Sequence, residues 1–122
     1  MRRRAASPPT PLFCHTDSLA ERIQAAFPGA RVVRSLNTVN AEVMVDPDRL
    51  AGDSTAFVAD EDPDAGDWAR TELLERWFGW RHVVDLGGVT AARGPEMWLP
   101  LWQRAMDAAG TAIFDLKIVT EP

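Results

Sequence analysis

Strands that alternate with helices predict an α/β fold with a largely parallel or mixed sheet, and three observations carry that expectation. Apolar residues recur at helical spacing over two stretches, Pro63 to Phe78 and Pro95 to Ala109. Short β-branched or apolar runs bounded by turn residues lie around them. The composition of the 122 residues, 46% hydrophobic and 25% charged, is ordinary for a globular chain with one core. Four short strands with three or four helices are nevertheless few for a complete doubly wound sheet, which holds six strands in its usual form.

Taken in order, Ser7-Pro8-Pro9-Thr10-Pro11 cannot continue a helix or a central strand, so residues 1 to 15 read as a tail or linker and residues 16 to 122 as the domain. Ser18 and Glu21 have capping-box spacing, and Leu19, Ile23, Ala26 and Phe27 follow at helical intervals, predicting a helix from Ser18 to Phe27. Pro28-Gly29 ends it, and Arg31 to Leu36 reads as a buried strand. A short helix or loop is expected between Asn37 and Asp48. A second strand covers Ser54 to Ala59.

Asp62 is placed to cap a helix that has Pro63 in its first turn, with Ala65, Ala69, Leu73 and Trp77 as its apolar stripe, Leu74 and Phe78 alongside, and Gly79 as its stop. His82 to Leu86 predicts a third strand. Trp98, Leu101, Trp102, Ala105, Met106 and Ala109 predict a helix from Pro95 to Ala109, kinked at Pro100. In the last run, Ala112 to Thr120, Phe114, Leu116 and Ile118 alternate with Asp115 and Lys117, as in an amphipathic strand.

Thirteen Lys plus Arg against eighteen Asp plus Glu give a net charge of −5, which argues against a broad phosphate-neutralising surface for nucleic acid. A single cysteine, Cys14, allows no internal disulfide and points to a reducing, cytoplasmic setting. Apolar runs such as Ala56 to Ala59 are far too short to span a bilayer. Met1-Arg2-Arg3-Arg4 lacks the apolar stretch of a secretion signal, and Leu12-Phe13-Cys14 has Phe13 where a lipoprotein site needs a small residue.

Motifs that carry chemistry are mostly lacking. The eight glycines form neither a G-x-G-x-x-G nor a P-loop pattern. Asp60, Asp62 and Asp64 imitate the start of a calcium loop, but Ala65 replaces the turn glycine and Thr71 the bidentate glutamate, so a solvated helix start is the better account. Cys14, His15 and His82 have no metal-ligand spacing, and no metal site is expected. The five tryptophans at helical spacing read as core before ligand stacking. No residue stands out as general acid, base or nucleophile.

Two polar clusters remain. Ser35, Asn37, Thr38 and Asn40 follow a strand, the position at which open α/β sheets bind ligands, and the same residue types also serve turns. Between Thr90 and Glu96, Arg93 and Glu96 are suited to orient a ligand or to pair across a helix start, the latter being favoured.

Asp17-Ser18-Leu19-Ala20-Glu21 followed by Phe27-Pro28-Gly29-Ala30-Arg31-Val32-Val33-Arg34-Ser35-Leu36-Asn37-Thr38 resembles the C-terminal half of the NADP oxidoreductases of the coenzyme F-420-dependent (deazaflavin) reductase family. Phe57-Val58-Ala59, Val84-Asp85-Leu86-Gly87 and Ala92 to Trp102 extend the resemblance in order and spacing over about residues 8 to 119. It implies a partial Rossmann-like sheet: the C-terminal strands and helices of a dinucleotide-binding oxidoreductase, without the G-x-G-x-x-G region that holds the NADPH pyrophosphate.

The family transfers hydride between NADP(H) and a deazaflavin or another acceptor, and the resemblance places Asn37 and Thr38 near the nicotinamide and acceptor. Asn40, Arg93, Glu96 and Met97 become acceptor-cleft candidates. A chain of this kind is expected to leave the Arg31 to Leu36 strand with an open edge and to be inactive alone. It would be a truncated gene product, or would depend on a partner carrying the front half or on a second copy. The alternative is a non-catalytic interaction module using the open sheet edge and the Trp98–Trp102 helix, and a stand-alone flavin-type binder is the least favoured reading.

Overall fold

A three-stranded sheet in the order β1-β2-β3 organises residues 16–122, the portion that this computed structural model describes. The tail reading of residues 1–15, with the pairing of Cys14 and His15, lies outside the described residues. Helix α1 (Leu19–Ala26) starts at Ser18, whose hydroxyl accepts from the Glu21 N–H at 3.2 Å. Only this half of the expected capping box forms. Asp17 takes the Ser18 N–H at 2.8 Å, which releases the Glu21 carboxylate for other partners.

Strand β1 (Val33–Ser35) pairs antiparallel with β2 (Ala56–Asp60), and β2 pairs parallel with β3 (Val83–Gly87), so the sheet is mixed and β1 lies at an edge. The short helix α2 (Ala41–Met44) and a 3₁₀ turn at Pro47–Arg49 fill the connection from β1 to β2. Helix α3 (Pro63–Trp68) has Asp62 as its cap, with Oδ1 accepting from Asp64 N at 3.0 Å and Ala65 N at 3.2 Å. It links the two parallel strands, as the alternation in sequence required.

Three expectations need correction. The helix from Pro63 does not stay α-helical: Ala69–Trp77 is wound as a π-helix, with the Phe78 N–H reaching back five residues to Leu73 O. The wider winding turns the buried stripe onto Ala69, Leu74 and Phe78. Trp77, 61% exposed, and Trp68, 51% exposed, are thereby left on the surface, so these two indoles are not core. Trp80 is core, 2% exposed, with Nε1 donating to Met44 O at 2.9 Å.

The stretch from Pro95 is two helices, α4 (Arg93–Glu96) and α5 (Leu99–Ala109), separated at Met97-Trp98. Pro100 falls in the first turn of α5, where no N–H is needed, so it does not kink the helix. The run Ala112 to Thr120 is not a sheet strand. It is a non-ladder segment fastened where the Thr55 N–H donates to Leu116 O at 2.9 Å and the Ile118 N–H to Thr55 Oγ1 at 3.1 Å.

The sheet is covered on both faces. Ala56 and Val58 face Val39, Val43, Leu74 and Trp80, whereas Ala59 faces Ala20, Val89 and Ala92. No helix among the described residues is long and apolar enough to cross a membrane.

On the second face, α1 and α4 are locked by charge. The Glu96 carboxylate, 7% exposed, accepts from the Leu19 and Ala20 N–H groups and stands 3.5 Å from Arg34 Nε. Arg93 donates to Glu21 from Nε at 2.9 Å and from its terminal nitrogen at 2.7 Å. Backbone donors at a helix start have no intrahelical acceptors, so Glu96 supplies what α1 cannot supply itself. Glu96→Ala strands two N–H groups and the Arg34 guanidinium and is expected to cost about 2–3 kcal/mol, read as a lowered midpoint in urea unfolding.

Candidate functional site

The site begins where β1 ends. Ser35 Oγ donates to Phe57 O at 2.6 Å and fixes the last strand residue on β2. Leu36 comes next with φ of 63°, the one non-glycine residue at positive φ among the described residues. A left-handed leucine is unfavourable by about 1 kcal/mol, so this turn is imposed by the anchoring of its neighbours. Thr38 is buried, and its carbonyl accepts from Trp98 Nε1 at 3.1 Å.

That bond ties the turn after β1 to the junction of α4 and α5 and frames a cavity of about 260 Å³. Phe57, Leu86, Pro95, Trp98 and Leu116 line it with apolar surface, and Asp115 is the one ionisable residue in the lining. Asp115 Oδ2 is buried without a hydrogen-bond partner, and so is Ser54 Oγ. Burial pushes the Asp115 carboxyl up to about 6, against smaller lowering effects from the Leu116 N–H and the nearby Ser54 hydroxyl. Ser54 therefore stands near the carboxyl without being aligned for a hydrogen bond.

The residues singled out in the sequence divide between two tasks. Thr38 lines the cavity, and Met97 lies at the α4 end, its N–H bonded to Arg93 O and Gly94 O. Asn37 is partly buried in the turn, and its amide makes no hydrogen bond to another described residue. Asn40 caps α2, with Oδ1 accepting from Glu42 N at 2.9 Å. Arg93 and Glu96 direct their charges at α1, the pairing role favoured for them from sequence. The Arg93 guanidinium holds the Glu21 carboxyl below its ordinary value, with the Ser18 hydroxyl adding to the effect.

Two features escaped the sequence reading. Asp115 gave no signal, because alternation placed it on the solvent side of a strand that does not form. The direction of β1 was equally hidden. Since β1 is antiparallel to β2, with Ser35 opposite Val58 and Val33 opposite Asp60, the Asn37-Thr38 turn stands at the amino-terminal end of the β2–β3 pair.

The carboxyl ends of β2 and β3 surround a different hollow of about 310 Å³, lined by Asp60, Glu61, Asp67 and Asp85. Asp60 is 7% exposed, and its carboxyl is raised by burial first and then by Asp85 and the neighbouring carboxylates. A third hollow, of about 670 Å³, opens beside β1 and α3, between Val33, Leu36, Trp68 and Leu73.

A mixed three-stranded sheet covered on both faces, with a small apolar cavity at one end, defines an α/β module. No protein-family model and no curated protein matches the chain. A solved structure does: the "putative F420 dependent NADP-reductase" of Arthrobacter sp. FB24 is 48% identical, with a TM-score of 0.86 over 93% of this chain. The chain spans 51% of that protein's length and fits its C-terminal half. The likeness implied by the sequence motifs thus holds in three dimensions.

Asp115 links the cavity to pH. With the folded pKa near 6 and the ordinary value at 3.8, the folded chain holds the extra proton between these limits. Ionisation of Asp115 therefore weakens folding as pH rises through that window. Asp115→Asn is expected to raise the melting temperature above pH 6, with the gain fading as pH falls toward 4; a scan of thermal unfolding against pH measures it.

Proposed function

We propose that this chain is part of an oxidoreductase that moves hydride between NADP(H) and a deazaflavin or similar acceptor, and that it is inactive by itself. The supporting observation is the 48% identity over 93% of the chain to half of a reductase of that description. The hydride chemistry belongs to the two cofactors. This chain supplies a wall that positions a ring and excludes water.

The fit to the cofactor is partial. A 260 Å³ cavity is ring-sized and below the usual range of about 300–1,000 Å³ for ligand pockets, so it does not accommodate a whole dinucleotide. The carboxyl ends of β2 and β3, where a phosphate would meet strand ends and a helix start, carry Asp60, Glu61, Asp67 and Asp85, which repel anions. A pyrophosphate therefore needs groups from another polypeptide segment.

Edge strand β1 is suited to receive that segment. A strand pairing parallel with its outer edge would end on the same side as Asn37 and Thr38, and the Asn37 amide would then face ligands bound at the joint. The apolar hollow beside β1 and α3 favours a second reading, a non-catalytic module that uses this edge and the Trp98–Trp102 helix to hold a partner.

The test is turnover of NADPH with a deazaflavin acceptor. The chain alone is expected to give none. The chain mixed with a separately produced polypeptide covering the unmatched half of the Arthrobacter protein is expected to give multiple turnovers. Turnover by the chain alone would overturn the dependence on a second segment, and a stable but inactive complex would favour the module.

A further inference from the structure

We propose that the hollow at the carboxyl ends of β2 and β3 binds a small organic cation with more than one N–H-bearing positive group, of the aliphatic polyamine class. The site lies at the opposite end of the sheet from the Thr38 cavity. It goes beyond the oxidoreductase reading and does not depend on it.

Among the described residues, the carboxylates Asp60, Glu61, Asp67 and Asp85 line this hollow of about 310 Å³, and no lysine or arginine does. Three of the four are partly engaged. Asp85 Oδ1 accepts from the Gly87 N–H at 2.8 Å, Glu61 Oε1 from the Val89 N–H at 2.7 Å, and Asp67 Oδ1 stands 3.5 Å from Arg70. Each keeps a second oxygen without a partner among the described residues.

Asp60 is engaged by nothing. It is 7% exposed, and its carboxylate has no hydrogen bond or ion pair with another described residue. Its oxygens are nevertheless not among the unpartnered atoms sealed from solvent, so a ligand in the hollow can touch them. The group lies against Gly66, where a Cβ would come within 2.1 Å of Oδ2, so α3 makes room for it without bonding it. Burial first, and then Asp85, Asp62, Asp67 and Glu61, raise the Asp60 carboxyl above its ordinary value.

A nine-tenths-buried carboxylate that no protein group satisfies asks for a donor, and the like charges around it ask for positive charge. A hard metal ion needs several oxygens at about 2.0–2.6 Å from one centre. Among the described residues no three His, Cys, Asp or Glu side chains come together to hold one. A flexible amine instead distributes its charge along a chain and meets separated carboxylates through N–H donors, each in a charge-assisted bond. The volume of about 310 Å³ lies at the lower end of the range of about 300–1,000 Å³ for small-molecule sites, which suits a short aliphatic chain.

The test uses the full chain, labelled with nitrogen-15, at about pH 7.5 and about 0.15 M salt, where open-surface charges are screened beyond about 8 Å. The probes are putrescine, its fully N-methylated quaternary analogue, which has the same charge and no N–H, and Mg²⁺. The readout is the Gly87 and Val89 amide resonances, whose N–H groups bond the carboxylates of the hollow. Putrescine is expected to shift both saturably and to bind about tenfold or more tightly than either other probe. Asp60→Asn is expected to weaken putrescine about fivefold and Asp67→Asn about threefold. Asp107→Asn, which removes an exposed charge on α5, is expected to leave its binding unchanged. No saturable shift, equal binding of putrescine and the quaternary analogue, tighter binding of Mg²⁺, or equal losses in Asp60→Asn and Asp107→Asn overturns the proposal. Should Asp60→Asn fail to fold, Asp67→Asn against Asp107→Asn decides in the same way.

Discussion

The two carboxylate oxygens of Glu96 accept from the first backbone donors of α1, while Arg34 of β1 lies beside them, so three segments remote in sequence meet at one buried charge. The placement of the cavity depends on that meeting. Glu96 closes α4, and Trp98 stands two residues later, so fixing α4 against α1 fixes the indole against Thr38. Arg93 and Glu21 repeat the constraint from the other end of α4 with a bidentate pair of good geometry. The charges drawn from the acceptor-cleft candidates thus serve to place the cavity, and the cavity itself is lined chiefly by apolar side chains.

The sheet has two chemically opposite ends. At the carboxyl ends of β2 and β3 the carboxylates crowd together, and Gly66 of α3 permits this crowding, because a Cβ on it would collide with the Asp60 carboxylate. At the other end, the turn after β1 brings Thr38 to a largely apolar cavity lined by Phe57 and Trp98. The crowded carboxylates accord with the lack of a phosphate-cradling glycine pattern in the sequence.

Features governed by neighbours in sequence were legible. Ser18 and Asp62 as caps, Pro63 in a first turn and Gly79 at a left-handed stop all arise from local backbone needs that residue type announces. The three strands that form were placed within about two residues for the same reason, while the fourth expected strand, Ala112 to Thr120, does not form. Features that depend on distant partners were not legible. Antiparallel pairing of β1, the role of Glu96 at a helix start 76 residues away, and the inward turn of Asp115 are decided by packing. The π-winding of Ala69–Trp77 was also hidden, because its residues satisfy an α-helical stripe equally well on paper. Thr38 was singled out because polar residues just past a strand end are a recognisable pattern, and it lines the cavity; nothing distinguished Asp115 from a solvent-facing strand residue.

That winding has an optical consequence. At about 100° per residue, positions nine apart lie on opposite sides of a helix, which would keep Trp68 and Trp77 from meeting. Here their ring centroids are 5.7 Å apart and nearly perpendicular, at 87°. Two indoles held so closely in a fixed mutual orientation couple their electronic transitions, and the resulting paired bands in circular dichroism report the local helical pitch. Any molecule that seats itself against α3 and tightens the coil would separate the chromophores and erase the couplet, so the chain carries its own label-free gauge of that surface.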